Sequence, residues 1–76
     1  MYILYYRPTC PSCKRVLDFI EEHKIEVDLR DISEEEHAAA LLEKGGKQQV
    51  PFLCDGDTCM YESDAIIEHL TGKLSS

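Results

Sequence analysis

The first thirty residues predict a strand, a helix and a second strand, and this order constrains the fold more than any other feature. Residues 2–6, "YILYY", are rich in β-forming side chains and continuously apolar, as expected of a strand covered on both faces. A helix to about residue 23 follows, because apolar residues recur at the spacing of one helix face. They are Cys13, Val16, Leu17 and Ile20. In residues 25–29, "IEVDL", apolar and acidic residues alternate as in a strand. Elements of this length form a right-handed βαβ unit with parallel strands.

A second helix is predicted after this unit. Ser33 is followed three residues later by Glu36, the spacing of a capping box, and "AAALLEK" continues the helical pattern. Gly45 is expected to end this helix, because glycine is common just beyond the last helical turn.

The last third of the chain predicts a hairpin and a final helix. The segments "VPFLC" and "TCMY" flank the dipeptide Asp55-Gly56, a strong hairpin signal, so the two strands are expected to be antiparallel. Ser63 is expected to cap a helix that Gly72 ends. The predicted order of elements is therefore βαβ, a helix, then ββα.

Charge and composition exclude several classes of protein. The net charge of -7 disfavours nucleic acid and anionic membranes as partners, and no apolar run approaches the roughly 20 residues of a membrane span. The N-terminal residues "MYILYYRPTC" lack the pattern of a secretory signal, so we expect a reducing, cytoplasmic location. In such a compartment, four cysteines favour redox chemistry or a metal site over structural disulfides.

The cysteine pair in "RPTCPSCKR", residues 7–15, lies at the turn from the first strand into the first helix. A Cys-x-x-Cys pair near a βαβ unit is typical of thioredoxin-like redox chemistry. Cys10 faces the unpaired N–H groups and the positive end of the helix dipole, which stabilise a thiolate. Cys13 lies on the apolar face and should keep its proton longer. Positive charge nearby comes from Arg7, Lys14 and Arg15. We therefore expect Cys10 to attack a disulfide and Cys13 to resolve the mixed disulfide.

The other two cysteines allow alternatives. Cys54 and Cys59 could join the first pair in a zinc site, but their spacing and their distance along the chain suit a zinc ribbon poorly, and no metal is expected. We favour strand residues without chemistry. If the two face each other across the hairpin, a regulatory disulfide becomes possible, and the strand register decides this. Surface positions without ligand spacing are expected for His23, His37 and His69.

The sequence resembles the glutaredoxins along nearly its whole length. "CPSC", residues 10–13, is similar to their Cys-Pro-x-Cys active site, and Arg7 stands where the family usually has a lysine. "QVP", residues 49–51, resembles their Thr-Val-Pro element, with glutamine in place of threonine. The resemblance implies an α/β, thioredoxin-like glutaredoxin fold. Such a fold is a four-stranded mixed sheet flanked by three helices, here as a single domain over residues 1–76.

The segment "VPFLCDGDTCMYESDAIIEHL", residues 50–70, also resembles the glutathione-binding half of glutathione transferases, in which a Glu-Ser pair holds the γ-glutamyl group. Ser63-Asp64 matches the Ser/Cys-Asp step of glutaredoxins. Tyr61-Glu62 stands where glutaredoxins have Gly-Gly before this step.

The resemblance implies a glutathione site. In these families the proline of the Thr-Val-Pro element is cis and the backbone of the preceding valine pairs with glutathione, so Val50 and Pro51 are expected there with a cis peptide between them. Glutathione carries two carboxylates and one ammonium, which cations and oxygen ligands complement. The residues expected at the glycyl carboxylate are Arg7, Lys47 and Gln48. Those expected at the γ-glutamyl group are Glu62, Ser63 and Asp64.

The function expected from these residues is a glutathione-dependent dithiol oxidoreductase of glutaredoxin type. It would act as a monomer on disulfide-containing or glutathionylated proteins, with glutathione as cosubstrate and no permanently bound cofactor. One alternative is a glutathione-binding module without redox turnover, as in the N-terminal domain of a transferase. Another is an iron–sulfur carrier, in which two subunits hold a cluster with one cysteine and one glutathione each.

Overall fold

The computed structural model describes residues 2–74, and within them it contains four strands and three helices in the predicted order. The strands are β1 Tyr2–Tyr6, β2 Val27–Asp31, β3 Phe52–Asp55 and β4 Thr58–Tyr61. The helices are α1 Pro11–Glu22, α2 Glu35–Gly45 and α3 Ser63–Leu74.

The four strands form one mixed sheet in the order β2-β1-β3-β4. β1 is parallel to β2, with Leu4 opposite Leu29, as the βαβ prediction requires. β3 is antiparallel to both β1 and β4, which confirms the predicted hairpin. This arrangement confirms the four-stranded sheet and the thioredoxin-like fold class. None of the helices within residues 2–74 is long and apolar enough to cross a membrane.

The sheet separates two apolar clusters, because alternate residues of β1 point to opposite faces. One cluster lies under α1 and α3 and contains Leu4, Val16, Ile20, Leu53, Ile66 and Leu70. The other lies under α2 and contains Tyr5, Ile32, Leu41, Phe52 and Cys54. The prediction of a first strand covered on both faces is thus confirmed.

β2 begins two residues later than predicted because the end of α1 uses the intervening backbone. The N–H of Ile25 donates to the carbonyl of Ile20 at 3.0 Å, and the N–H of Lys24 donates to Glu21 at 3.3 Å. Lys24 has φ 52°, so a lysine occupies the left-handed position of a Schellman-type helix end, where glycine is usual. Ile25 is therefore part of the helix cap.

The predicted capping box of α2 is wrong. The N–H of Ser33 donates to Oδ1 of Asp31 at 2.8 Å, and Glu34 takes the N-cap position before a helix that starts at Glu35. A local turn made by Asp31 therefore replaces the cap that Ser33 and Glu36 were expected to form.

Both predicted helix ends marked by glycine are displaced. α2 ends through Gly46, which has φ 80° and whose N–H donates to Leu42 at 2.8 Å, so Gly45 belongs to the helix. α3 continues through Gly72 to Leu74.

Two histidines are less exposed than predicted. Nε2 of His69 lies 3.0 Å from Oδ2 of Asp55, and Nδ1 of His37 lies 3.0 Å from the carbonyl of Asp31. Both side chains are only about a fifth exposed, whereas His23 is exposed as expected. The hydrogen bond that Asp55 accepts from His69 holds the pKa of Asp55 below its ordinary value, although partial burial opposes this shift.

Two consecutive leucines of α2 provide a matched test of this packing. Leu41 is fully buried under the sheet, while Leu42 is 47% exposed. Leu41→Ala should lower the free energy of unfolding by about 2–5 kcal/mol, because it removes buried methyl groups and leaves a cavity. Leu42→Ala should change that free energy by less than about 0.5 kcal/mol. Urea unfolding of both variants measures the difference, and equal losses would contradict the assigned face of α2.

Candidate functional site

Cys10 occupies the N-cap position of α1, directly before Pro11 in the first helical position. Its backbone is extended, with φ -88° and ψ 119°, and its carbonyl accepts the N–H of Lys14 at 3.0 Å. The side chain is partly exposed, whereas Cys13, one helical turn further on, is fully buried. Both thiols are free. Helix geometry therefore produces the predicted contrast between an accessible and a shielded sulfur.

The pKa of Cys10 is lowered from its ordinary value. Burial acts to raise it, but hydrogen bonds from the backbone N–H and the thiol of Cys13, and from the N–H of Ser12, outweigh burial. The positive charge of Arg7 acts in the same direction as these hydrogen bonds. Cys10 is thus the group that the helix start stabilises as a thiolate.

Burial raises the pKa of Cys13 to about 11. The hydrogen bond with Cys10 and the charge on Cys10 raise it further, while Arg7 acts in the opposite direction. At neutral pH Cys13 therefore remains a thiol and can donate its proton in a hydrogen bond to the Cys10 sulfur. This contrast confirms the expectation that Cys13 keeps its proton longer than Cys10, while the roles of attacking and resolving thiol stay predictions.

A groove of about 410 Å³ lies where the starts of α1 and α3 meet the loop before β3. It is lined by Ser12, Arg15, Gln49, Val50, Pro51, Glu62, Ser63 and Asp64. Five of the eight predicted glutathione-binding residues are among these. The peptide between Val50 and Pro51 is cis, which confirms that prediction.

The start of α3 forms one wall of the groove. The carbonyl of Glu62 accepts the N–H of Ile66 at 3.1 Å, so Glu62 takes the N-cap position that had been predicted for Ser63. Glu62 has φ 70°, the left-handed conformation that a glycine adopts most easily. Glu62 occupies the position of the second glycine in the glutaredoxin Gly-Gly element. This chain therefore adopts the left-handed conformation there without a glycine. Ser63 is 7% exposed, as the first residue of the helix.

Arg15 connects the two helix starts, a role that sequence reasoning missed. Its Nη1 donates to the hydroxyl of Ser63 at 3.4 Å, and its Nη2 lies 2.9 Å from Oδ1 of Asp64. Ser12 and Arg15 are three residues apart in α1 and thus share one helix face. From this spacing, the sequence could have predicted that Ser12 and Arg15 line the groove together.

Three predicted residues lie outside the groove lining. The charge of Arg7 acts on both Cys10 and Cys13, and its carbonyl accepts the N–H of Cys10 at 3.0 Å. Nζ of Lys47 lies 4.8 Å from the centre of the Tyr61 ring, and Nε2 of Gln48 donates to the carbonyl of Ala38 at 3.3 Å. Their assignment to glutathione stays a prediction.

Tyr61 holds the loop that precedes the cis-proline. Its hydroxyl donates to the carbonyl of Lys47 at 3.1 Å, and its ring packs on Phe52 with 4.5 Å between ring centres. A side chain at Gly45 would collide with this hydroxyl, so the end of α2 needs glycine for close approach. Sequence reasoning noted Tyr61 only as a replacement for glycine and missed this role.

A larger open groove, of about 620 Å³, lies between β4 and α3 and is lined by none of the predicted site residues. Among residues 2–74, no group of three or more metal-binding side chains is suitably placed to hold a metal ion. The predicted site residues that the structure brings together thus lie in the smaller groove beside the start of α1.

A mixed four-stranded sheet with helices on both faces, and a cysteine pair at the start of its first helix, define a thioredoxin-fold domain. The sequence matches the family model described as glutathione S-transferase, N-terminal domain, over residues 4–75. The chain belongs to this family. A sequence search of curated proteins found no match.

Solved structures agree with this assignment. A glutathione S-transferase from the Antarctic clam Laternula elliptica is 35% identical, with a TM-score of 0.80 over 95% of this chain and 34% of that protein. A glutathione transferase homolog from Drosophila mojavensis, with bound glutathione, is 28% identical, with a TM-score of 0.79 over 95% of this chain and 34% of that protein. This chain spans about a third of the length of both transferases.

The fold is also similar to that of a glutaredoxin. The glutaredoxin from Archaeoglobus fulgidus has a TM-score of 0.75 over 91% of this chain and 84% of that protein. At 23% identity, this likeness concerns the fold alone.

The lowered pKa of Cys10 predicts an order of alkylation. At pH 6, iodoacetamide should label Cys10 before Cys13, and the Cys10 rate should level off at a lower pH than that of a free cysteine, whose pKa is about 8.5. Mass spectrometry of timed samples gives both rates. Cys13→Ala should raise the pKa of Cys10 above that in Cys13→Ser, because only serine can still donate a hydrogen bond. Faster labelling of Cys13, or a Cys10 rate that keeps rising like that of a free thiol, would contradict the assignment.

Proposed function

We propose that this protein is a glutathione-dependent thiol-disulfide oxidoreductase that uses Cys10 and Cys13 as a dithiol pair. The observation that carries the proposal is the contrast between the two sulfurs. Cys10 is accessible with a lowered pKa, and Cys13 is buried with a pKa of about 11. A nucleophile and a resolving thiol need this combination.

In the first step, the Cys10 thiolate attacks one sulfur of a substrate disulfide. A new S–S bond forms to Cys10 while the substrate bond breaks, and its electron pair leaves on the other sulfur as a thiolate. The N–H groups of Ser12 and Cys13 lower the pKa of Cys10 and so favour its thiolate before the attack.

The second step depends on a change in the pKa of Cys13 that the first step causes. The charge and hydrogen bond of Cys10 both raise the pKa of Cys13. Once Cys10 is part of a mixed disulfide, its charge is gone, so the pKa of Cys13 falls and a thiolate forms more easily. Cys13 then attacks Cys10, which releases the substrate as a thiol and leaves the Cys10–Cys13 disulfide. Two molecules of glutathione supply the electrons that reduce it again.

The groove beside Cys10 is proposed to bind glutathione. Backbone N–H groups at the start of α3 favour a carboxylate, and Ser63 and Asp64 lie there together with Glu62 and Arg15. Arg15 pairs with Asp64 at this wall of the groove. The carboxylate of a γ-glutamyl group could therefore contact Arg15, and its ammonium could contact Glu62 and Asp64. The backbone of Val50 is proposed to pair with the cysteinyl part. Arg7, Lys47 and Gln48 are proposed for the glycyl carboxylate.

The family match favours a second candidate, a glutathione-binding module without redox turnover. The matched transferases are about three times as long as this chain, and in them this domain is one part of the protein. The two candidates share the groove but differ in whether Cys10 and Cys13 turn over a disulfide. Turnover of a disulfide that depends on Cys10 supports the oxidoreductase, and glutathione binding without such turnover supports the module. As an oxidoreductase, the protein is proposed to act as a monomer in the cytoplasm on disulfide-bonded or glutathionylated proteins.

Single cysteine variants should separate two reactions. Cys13→Ser should keep reduction of glutathione mixed disulfides, because Cys10 can take the glutathionyl group and a second glutathione can remove it. The same variant should lose most reduction of protein disulfides, which needs a resolving thiol. Cys10→Ser should abolish both. A glutathione-coupled assay with a glutathionylated peptide and a protein disulfide measures the two rates.

The wild type and a Cys10→Ser/Cys13→Ser double variant are the controls for these assays. If Cys10→Ser retained turnover, another group would have to carry out the reaction, and this mechanism would be wrong.

Replacing one charge in the groove should weaken glutathione use without altering the thiol. Glu62→Gln keeps the size of the side chain, and we expect its KM for glutathione to rise roughly tenfold, as for one charge-assisted contact of about 1.5 kcal/mol. The pKa of Cys10 should not change. Arg7→Ala should raise both the KM and the pKa of Cys10. Glu43 is an exposed residue of α2, and Glu43→Gln is the matched control. An equal rise in KM for Glu43→Gln would argue against a glutathione site at Glu62.

A further inference from the structure

Cys54 and Cys59 form a disulfide across the β3–β4 hairpin, so the favoured expectation of strand residues without chemistry is wrong. They lie directly opposite each other, with 4.1 Å between their Cα atoms. Asp55 and Thr58 are the hydrogen-bonded pair that closes the two-residue turn. The next pair along the ladder, Cys54 and Cys59, is therefore a pair without backbone hydrogen bonds between its members. Side chains come closest at such a pair, so the register itself places the two sulfurs together.

The two cysteines differ in exposure, as Cys10 and Cys13 do. Cys54 is 3% exposed and lies in the apolar cluster under α2, beside Tyr5 and Phe52. Cys59 is exposed on β4, at the edge of the sheet. A thiol from solution can therefore reach Cys59, while Cys54 is shielded.

The hairpin pair lies at the opposite end of the sheet from the active pair. Cys54 is paired with Ile3 near the start of β1, whereas Cys10 follows the other end of that strand. The distance from Ile3 to Tyr6 alone is about 10 Å along the strand. The sulfurs of the two pairs cannot meet within one molecule, so oxidation and reduction of the hairpin pair require a second molecule.

We propose that Cys54 and Cys59 are a second redox site, at which a small thiol or disulfide such as glutathione exchanges with Cys59 while Cys54 acts as the resolving thiol. This site is separate from the groove and does not depend on the function proposed for it.

Exchange at the hairpin pair takes two steps. A thiolate attacks Sγ of Cys59, a new S–S bond forms to the incoming sulfur, and the Cys54–Cys59 bond breaks. The electron pair stays on the Cys54 sulfur, which takes a proton from water. A second thiolate attacks the added sulfur, releases Cys59 as a thiolate and leaves as a small disulfide. Two thiols are oxidised and one protein disulfide is reduced. In the opposite direction, Cys54 displaces the adduct from Cys59.

The first test uses the Cys10→Ser/Cys13→Ser double variant, so that only the hairpin pair can react. The protein is equilibrated in buffers of reduced and oxidised glutathione, quenched in acid and analysed by intact mass and peptide mapping. We expect a reversible change between two thiols and one internal disulfide, with any glutathione adduct on Cys59. Hairpin thiols that stay reduced in pure oxidised glutathione, or a disulfide that stays closed in pure reduced glutathione, would overturn the proposal.

The second test compares Cys54→Ala and Cys59→Ala in the same background, after circular dichroism has shown that both fold. With oxidised glutathione, the Cys59 that remains in Cys54→Ala should form an adduct at least about tenfold faster than the Cys54 that remains in Cys59→Ala, because Cys54 is buried. In urea the two rates should become similar, which attributes the difference to burial. Equal rates in the folded proteins would overturn the assignment of Cys59 as the exchanging sulfur.

Discussion

The pairing of β1 with a strand on each edge is the constraint on which the rest of this structure depends. β1 has only five residues, yet it bonds to β2 and β3 and covers an apolar cluster on each face. Leu4 and Tyr5 are neighbours in sequence and both are almost fully buried, one in each cluster. Because β1 cannot shift by one residue without exchanging its two faces, its end is held in place, and so is the start of α1. The position of Cys10 follows from this.

The chemistry at the start of α1 comes from two opposing effects on neighbouring sulfurs. Burial raises the pKa of both cysteines. At Cys10 the helix N–H groups, the Cys13 thiol and Arg7 outweigh burial, whereas at Cys13 the backbone and the charge of Arg7 do not. One helical turn is enough to separate a thiolate from a buried thiol. The same contrast recurs at the hairpin, where strand alternation places Cys54 in the core and register places Cys59 opposite it on an edge strand. Two different secondary structures thus each produce one cysteine that is more accessible than its partner.

Prediction from sequence succeeded for features set by periodicity, element length and turn residues, and it failed for features set by competing local hydrogen bonds. The order of elements and the buried face of α1 follow from apolar spacing. The parallel pairing follows from the length of the βαβ elements, and the antiparallel pairing follows from the turn dipeptide Asp55-Gly56. The capping box failed because Asp31 offered the N–H of Ser33 another acceptor. β2 started late because Lys24 accepted a left-handed conformation and drew Ile25 into the end of α1. Such alternatives differ by about 1 kcal/mol, which local patterns do not resolve.

The sequence by itself determined the thioredoxin-like order of elements and the location of Cys10 and Cys13 at a helix start, because apolar periodicity and a short motif act over a few residues. Only the tertiary structure decided which distant groups meet. Arg15 reaches Ser63 across 48 positions of the chain, and Tyr61 holds the loop at Lys47. Cys54 bonds to Cys59 because the turn length selects one register among several. The contacts of Arg15 and Tyr61 depend on how whole strands and helices pack, and packing is a property of the complete fold.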